Sequence, residues 1–178
     1  MEYKSIYKSK IGNIILTSDG KYLTGLWFDT SRFKHLRVVD QEKVDDELDV
    51  FKITKCWLDK YFNEENPDPK CVPIKLNGSK FSKRVWEILK EIPYGTVITY
   101  GEIASIIGKE DNKKMSAQAV GHAVGHNPIS IIVPCHRVVG KNGNLTGYGG
   151  GLDKKLGLFK VEKINEKDFF IPKRGNAL

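Results

Sequence analysis

Short apolar runs broken by turn residues mark the first 30 positions of the chain. Residues 11–17 are rich in β-branched side chains, Asp19-Gly20 is a turn dipeptide, and residues 22–28 continue with Leu, Trp and Phe. This order predicts a β-hairpin. Over residues 44–62 the apolar positions recur at roughly helical spacing, and acidic residues stand near the start, where a helix dipole favours negative charge. The first part of the chain is therefore predicted to be mixed β/α.

The pattern changes after a proline-rich stretch. Residues 63–73 contain three prolines and mixed charge, which is typical of a linker, so we place a domain boundary near residue 75. Beyond it, apolar residues share one face of a predicted helix that Ser79 or Ser82 could cap; these are Phe81, Val85, Leu89 and Ile92. We divide the chain into a mixed β/α domain (1–75), a mainly helical domain (76–165) and a tail (166–178).

Two further helices are predicted on either side of a polar turn. One covers residues 102–107 and is expected to stop at Gly108, and the other runs from about 116 to 125. The lysine-rich turn between them, residues 109–114, gives the pair the outline of a helix-turn-helix, although many helix pairs are only packing units. The second helix is rich in Ala and Gly, which permits close approach either to a neighbouring helix or to the wall of a groove.

Composition and charge narrow the class of protein. In 178 residues the aliphatic runs are too short for a membrane span, and the N-terminus lacks the apolar core of a signal peptide. We therefore expect an intracellular protein, cytoplasmic or nuclear, with no membrane partner. Residues 1–75 carry 13 basic and 13 acidic residues, so the whole formal net charge of +7 lies in residues 76–178. This segregation favours a polyanionic partner for the second domain.

The candidate chemistry centres on one cysteine. The three cysteines are Cys56, Cys71 and Cys135, with no Cys-x-x-Cys pair and no histidine at zinc-ligand spacing, so we expect no structural metal and no disulfide framework. Residues 129–133 form an apolar run that predicts a strand leading to Cys135. His136 follows directly, and an adjacent imidazole can raise the fraction of thiolate needed for nucleophilic attack. A lone Cys-His dipeptide is a weak signal.

The context of that dipeptide is far more specific. Asn127-Pro128 precedes the apolar run, Pro-Cys-His-Arg-Val occupies 134–138, and Tyr-Gly-Gly-Gly-Leu occupies 148–152. Together these motifs resemble the O6-alkylguanine-DNA alkyltransferase family, over residues 81–162. Residues 1–75 resemble in outline the small ribonuclease H-like domain that precedes the active domain there. The resemblance implies an α/β (α+β) fold whose second domain carries a winged-helix-like helix-turn-helix.

The resemblance also implies a function. It predicts a single-turnover DNA repair methyltransferase that flips O6-alkylguanine, and potentially O4-alkylthymine, out of duplex DNA and keeps the alkyl group on Cys135. Extrusion is required because the reacting base edge is otherwise inside the stack. No cofactor is implied, and the protein is expected to act as a monomer on double-stranded DNA.

Individual roles follow from the resemblance. His136 matches the water-linked base, Glu162 the carboxylate that orients it, Asn127 the residue that braces the turn, and Tyr100 the donor to the leaving guanine. Arg137 is expected either to form an internal salt bridge or to contact DNA. Predicted substrate-binding residues are Tyr148, Lys155, Val138 and Gly150, and predicted DNA-binding residues are Ser116, Ala117, Gln118, Gly121, Lys113 and Lys114. Gln118 stands where the family usually carries the arginine that fills the space left by the flipped base.

Other function classes remain open on the sequence. A Cys-His hydrolase would use the same dyad, but the residues before Cys135 supply no obvious oxyanion hole. A DNA-binding regulator would explain the basic half and the helix pair without any chemistry. A non-catalytic lesion-binding relative is disfavoured, since in such proteins the acceptor cysteine is replaced, commonly by tryptophan.

Overall fold

The computed structural model describes residues 2–30, 42–145 and 147–171, and these fall into two compact units. The first, which we call the sheet unit, comprises described residues up to position 77 together with residues 128–132. The second, the helical unit, comprises residues 78–127 and the described residues from 133 onward.

A four-stranded sheet forms the centre of the sheet unit. Its strands lie in the order β3-β2-β1-β4, with β1 and β2 and then β2 and β3 antiparallel, and with β4 parallel to β1. Their bounds are β1 Glu2–Ser9, β2 Gly12–Ser18, β3 Leu23–Phe28 and β4 Glu42–Val44. The predicted hairpin is present: Gly20 has a φ of 100°, which suits glycine, and the Asp19 carboxylate accepts from the backbone of Lys21 and Tyr22.

The helix of this unit, α1 (Asp49–Phe62), begins later than the sequence predicts. Val44 belongs to β4, where it pairs with Lys4 of β1 and satisfies the backbone groups at the edge of the sheet. The spacing of apolar residues cannot reveal this pairing. The buried face of α1 packs Phe51 and Leu58 into the core. The indole Nε1 of Trp57 donates to the carbonyl of Asp68 at 2.9 Å, which fixes the following segment against the helix.

The strand predicted over residues 129–133 is absent. This segment makes one parallel bridge to β3, in which Leu26 N donates to Pro128 O and Ser130 N donates to Leu26 O. The chain then turns at Ile131, which has a φ of 71°, as Ile132 N donates to Ser130 O at 2.8 Å. An i to i+2 bond about a residue with positive φ is a γ-turn, which is uncommon for a β-branched residue. The apolar run is buried, but the turn prevents a longer ladder.

The helical unit consists of four helices and a minimal parallel sheet. The helices are α2 Lys80–Lys90, α3 Tyr100–Glu110, α4 Ala117–Gly125 and α5 Leu152–Val161, and the strands β5 Ile98–Thr99 and β6 Val138–Val139 pair with each other. Ser79 caps α2 through Ser82 N, and Ser116 caps α4. Trp86 of α2 donates its indole hydrogen to Ala123 O of α4 at 2.9 Å, which joins these helices inside the unit.

The predicted pair of helices is α3 and α4, but Gly108 does not end the first of them. It lies inside α3, and a Cβ atom there would come within 2.7 Å of the Lys113 carbonyl. The glycine therefore allows the turn to fold closely back onto the helix. Arg84 of α2 holds this turn by pairing with Glu110 and with Asp111, the latter at 2.6 Å.

The C-terminal part of the unit closes a small apolar cluster of Val139, Leu145, Phe159 and Ile164. The backbone of Phe170 bonds to that of Gly143 and Leu145, and Phe169 packs against Phe159. These residues belong to the described part of the predicted tail, and residues 172–178 lie outside the described residues. The mixed α/β class with an N-terminal sheet and a mainly helical second part is confirmed. No helix in the described parts of the chain is long and apolar enough to cross a membrane.

The start of α3 yields a stability prediction. Thr99 and Glu102 form a capping box, in which Thr99 Oγ1 accepts from Glu102 N at 3.1 Å and the Glu102 carboxylate accepts from Thr99 N at 2.7 Å. We expect Thr99→Ala to lower the free energy of unfolding by about 1 kcal/mol. Thr99→Ser keeps the hydroxyl and should remain close to the parent in urea unfolding. Equal destabilisation by both variants would contradict the capping role.

Candidate active site

The backbone before Cys135 turns sharply and presents its side chain from a short 3₁₀ turn, Cys135–Arg137. Cys135 N donates to Val133 O at 2.8 Å around Pro134, whose φ of −80° and ψ of 64° define an inverse γ-turn. The expectation that Cys135 ends a buried strand is therefore wrong. Asn127 Nδ2 donates to the same Val133 carbonyl at 2.8 Å, as a residue that braces this turn must. The thiol-bearing residue is 7% exposed.

His136 and Glu162 are in direct contact inside the helical unit. His136 Nε2 lies 2.7 Å from Glu162 Oε1, and both side chains are fully buried. Since an ionised carboxylate only accepts hydrogen bonds, Nε2 carries the hydrogen and Nδ1 of the neutral ring carries the lone pair. The sequence places the two residues 26 positions apart; the end of α5 brings them together, with Glu162 as the residue that follows its last turn. His136 is thus oriented to accept a proton at Nδ1.

The carboxylate of Glu162 is shared with Arg137. Arg137 Nε donates to Glu162 Oε2 at 2.8 Å and its Nη2 donates to Oε1 at 2.9 Å, a two-point contact. Gly95 N adds a donor to Oε2 at 3.1 Å. The third nitrogen of the guanidinium, Nη1, donates to Ile92 O at 2.6 Å, and the centroid of the Tyr94 ring lies 5.7 Å from Arg137 Cζ. Of the two roles predicted for Arg137, the structure shows the internal salt bridge.

Burial and charge set the protonation of this pair. Burial lowers the pKa of His136, while Glu162 acts to raise it and Arg137 and Lys155 act to lower it further. Burial alone would raise the pKa of Glu162, but the charges and hydrogen bonds of His136 and Arg137 hold it below its usual value. Because His136 is neutral near pH 7, Arg137 is the cation that keeps Glu162 ionised there. The imidazole is therefore a neutral base facing an ionised carboxylate.

Lys155 is a second buried cation in this unit. Its side chain is fully buried on α5, and Nζ donates to Val138 O at 2.6 Å. Burial lowers the pKa of Lys155 to about 8, and negative charge on Cys135 opposes that shift by favouring the ammonium form. At neutral pH the ammonium form still predominates, so Lys155 stabilises negative charge on Cys135. The structure thus brings Lys155 and Val138, two predicted substrate-binding residues, into contact.

The remaining predicted site residues lie in the same unit. Tyr100 is the first residue of α3 and Tyr148 precedes α5, and both are buried, at 5% and 6% exposure. Gly150 is buried as well. The Tyr148 carbonyl accepts from Gly151 N. Gly151, with a φ of 97°, is the N-cap of α5, and Glu162 follows the other end of that helix. Contact of Tyr100, Tyr148 and Gly150 with a guanine remains a prediction.

The predicted DNA-binding residues divide by exposure. Ser116, Ala117 and Gln118 are exposed at the start of α4, whereas Gly121 is buried on its packed side. Lys113 and Lys114 border an open cleft of about 590 Å³ that also touches Ala104, Ser105, Lys109 and Ala117. Lys113 is partly neutralised by Asp111 at 3.3 Å, but Lys114 forms no ion pair with any residue that the structure describes.

Two contacts of the Glu162 carboxylate were not predicted from the sequence. Arg137 stands in the Pro-Cys-His-Arg-Val motif, but only the fold shows that it binds the same carboxylate as His136. Gly95 carries no sequence signal beyond a turn; its φ of 76° and its donation to Glu162 become visible only in three dimensions.

Comparison with known proteins shows the family of this chain. The profile of the 6-O-methylguanine DNA methyltransferase DNA-binding domain matches residues 80–164, and that of its ribonuclease-like domain matches residues 2–76. The methylated-DNA–protein-cysteine methyltransferase of Haemophilus influenzae is 40% identical over 162 residues, 91% of this chain and 87% of its own. The enzyme of the same name from Methanosarcina acetivorans is 46% identical over 162 residues, 90% of this chain and 97% of its own.

Solved structures agree. The crystal structure of Mycobacterium tuberculosis O6-methylguanine methyltransferase matches with a TM-score of 0.79 and 41% identity, covering 92% of this chain and 93% of that one. The structure of that mycobacterial protein in complex with DNA matches equally well, with a TM-score of 0.79 and 40% identity over 90% of this chain and 93% of that one. With both domain profiles matched in order and relatives aligned over nearly their whole length, this chain belongs to the 6-O-methylguanine DNA methyltransferase family.

Proposed function

We propose that this protein repairs DNA by moving the alkyl group of O6-alkylguanine onto Cys135. The sulfur attacks the alkyl carbon, a carbon–sulfur bond forms, and the bond between that carbon and O6 breaks. The thiol proton passes through water to His136, and the departing guanine receives a proton from Tyr100. A thioether is inert to thiol exchange, so each protein molecule repairs one lesion.

The contact between His136 and Glu162 carries this proposal. A base that is neutral, buried and held by an ionised carboxylate is what a thiol needs to become a nucleophile near neutral pH. General base catalysis depends on such orientation, because the lone pair must face the proton that it accepts. Asn127 supports the same arrangement by fixing the turn that presents Cys135.

Buried charge also favours a thiolate. In the described parts of the chain, the buried side chains that are ionised at neutral pH are Arg137, Lys155 and Glu162, two cations and one anion. When the thiol proton passes to His136 the net buried charge does not change, but the thiolate gains an attraction to the Lys155 ammonium group that a neutral thiol lacks. Opposite charges attract strongly in a low-dielectric site, so Lys155 lowers the free energy of the ionised nucleophile.

DNA binding is assigned to α3, α4 and the basic turn between them. The exposed N-terminus of α4 can approach phosphates, and Lys113 and Lys114 add positive charge beside it. Gln118 is proposed to enter the space vacated by the flipped base, while the small buried Gly121 lets α4 pack closely. Val138 and Gly150 are proposed to read the guanine edge, and Tyr148 and Lys155 to line its pocket.

The protein is proposed to work as a monomer, since Cys135, His136 and Glu162 all come from one chain. Because its substrate is DNA, it acts in the compartment that holds the genome. A non-catalytic lesion-binding role is the alternative, and the retained Cys135 beside an oriented base argues against it.

The nucleophile gives the first functional prediction. Cys135→Ser should abolish transfer of a labelled methyl group from O6-methylguanine duplex DNA, because a hydroxyl is a far poorer nucleophile at neutral pH. Its affinity for DNA should remain near that of the parent and should fall with rising salt, as phosphate contacts release counterions. The double variant Cys56→Ser/Cys71→Ser, which changes two exposed cysteines of the sheet unit, should transfer normally. Methyl removal by Cys135→Ser would refute the assigned chemistry.

The contact between His136 and Glu162 predicts non-additive kinetics. His136→Gln and Glu162→Gln should each slow transfer by about 10² or more, and the double variant should be little slower than the slower single variant. Single-turnover rates on lesion DNA measure this, with circular dichroism to verify folding. The control is Glu166→Gln, the same change in the 3₁₀ turn Glu166–Asp168, which should have no effect on the rate. Fully additive losses in the double variant would show that the two residues act separately.

Gln118 predicts an effect specific to duplex DNA. Gln118→Arg should speed repair of duplex DNA, because arginine adds a cation and a planar group that stacks on bases. Reaction with free alkylated guanine, which needs no flipping, should barely change. His122→Arg adds the same charge one turn later on the exposed face of α4 and controls for general attraction to DNA. If both variants speed duplex repair equally, position 118 does not fill the vacated space.

A further inference from the structure

Arg137 holds the same carboxylate that binds the imidazole of His136. Its fork contacts both oxygens of Glu162, its third arm is fixed by the Ile92 carbonyl, and the Tyr94 ring lies beneath it. With 8% exposure the guanidinium is buried, and it does not lose its proton in a protein. Glu162 therefore has one partner whose charge is permanent and one, His136, whose charge changes with pH.

A permanent buried cation affects every nearby group that exchanges protons. Positive charge favours loss of a proton, so Arg137 lowers the pKa of His136 and helps to hold that of Glu162 below its usual value. Among the described residues, Glu162 and Lys155 also act on the pKa of His136, and Cys135 acts on that of Lys155. Glu162 opposes Arg137, and Lys155 reinforces it.

We propose that Arg137 is a positioning residue that sets the lowest pH at which Cys135 and His136 are competent for transfer. It keeps Glu162 ionised and fixed while it prevents the carboxylate from making the imidazole too basic. This inference rests on the proposed function, because it gives Arg137 a role in the same proton transfer.

The geometry distinguishes this role from simple packing. A residue needed only to fill space would not direct two donors at the carboxylate that binds the imidazole, and its charge could be removed without changing the titration of the site. If the charge matters, removing it raises the pKa of each neighbouring acid. The first proton then leaves the Cys135–His136 pair at a higher pH, whichever of the two residues carries it.

The test compares Arg137→Gln with Arg137→Lys. Both are made in the Cys56→Ser/Cys71→Ser background, where Cys135 is the only thiol of the sequence. Alkylation of Cys135 by iodoacetamide as a function of pH reports the titration directly, independently of any repair activity. Methyl transfer from free O6-methylguanine is followed in parallel. Arg84→Gln, which removes an arginine that pairs with Glu110 and Asp111 on the surface, is the matched control.

We expect the acid limb of both profiles to move up by about one pH unit in Arg137→Gln. Arg137→Lys keeps the positive charge but loses the two-point contact with Glu162. In this variant the acid limb of both profiles should stay near that of the parent, while the transfer rate falls several-fold. Arg84→Gln should match the parent in both profiles. Should Arg137→Gln not fold, Arg137→Met, which fills similar space without a polar group, replaces it with the same expectation.

Two results would overturn the proposal: an unshifted acid limb in the neutral variant, or equal shifts in the neutral and lysine variants. The iodoacetamide profile also separates this inference from the function on which it rests. A shifted thiol titration in a protein whose parent transfers no methyl group would support the role of Arg137 in the titration and refute the repair reaction.

Discussion

One carboxylate organises the helical unit. Glu162 accepts from His136, from two arms of Arg137 and from the backbone of Gly95, so the end of α5, the turn after α2 and the cysteine-bearing turn meet at its two oxygens. Burying a carboxylate costs several kcal/mol unless such partners surround it, and here every partner is a donor. The same contacts that make burial tolerable orient the imidazole, and so the stability of this part of the fold and the chemistry proposed for Cys135 depend on one residue.

The charges around that carboxylate explain how an almost buried thiol can be reactive. Arg137 keeps Glu162 ionised, Glu162 orients His136, and Lys155 adds positive charge near Cys135. In the proposed reaction the Lys155 cation stabilises the thiolate while the oriented imidazole accepts its proton. Transfer of an alkyl group removes the negative charge, since a thioether is neutral.

Much of the fold and of the candidate site could be predicted from the sequence, and the predictions that were wrong have physical causes. The hairpin of β2 and β3 and the capping of α2 by Ser79 follow from local signals, and the motif around Cys135 identified the family. Residues 129–133 have the composition of a strand, yet a γ-turn at Ile131 reverses the chain after one bridge, and β-branched residues give no warning of positive φ. Gly108 was predicted to end a helix because glycine commonly does so. Its role here is to leave room for the Lys113 carbonyl, which depends on a turn that folds back onto the helix. The partner of Arg137 could not be foreseen for the same reason, since 25 positions separate it from Glu162.

We expect Cys135 itself to become the stable alkyl carrier. Peptide mass mapping after reaction with excess duplex containing O6-methylguanine tests this, because it both locates and counts the transferred group. It should find one methyl group per protein molecule, on the peptide that contains Cys135, with no further repair after saturation. Repaired DNA alongside unmodified Cys135, or a methyl group on Cys56 or Cys71 instead, would contradict it.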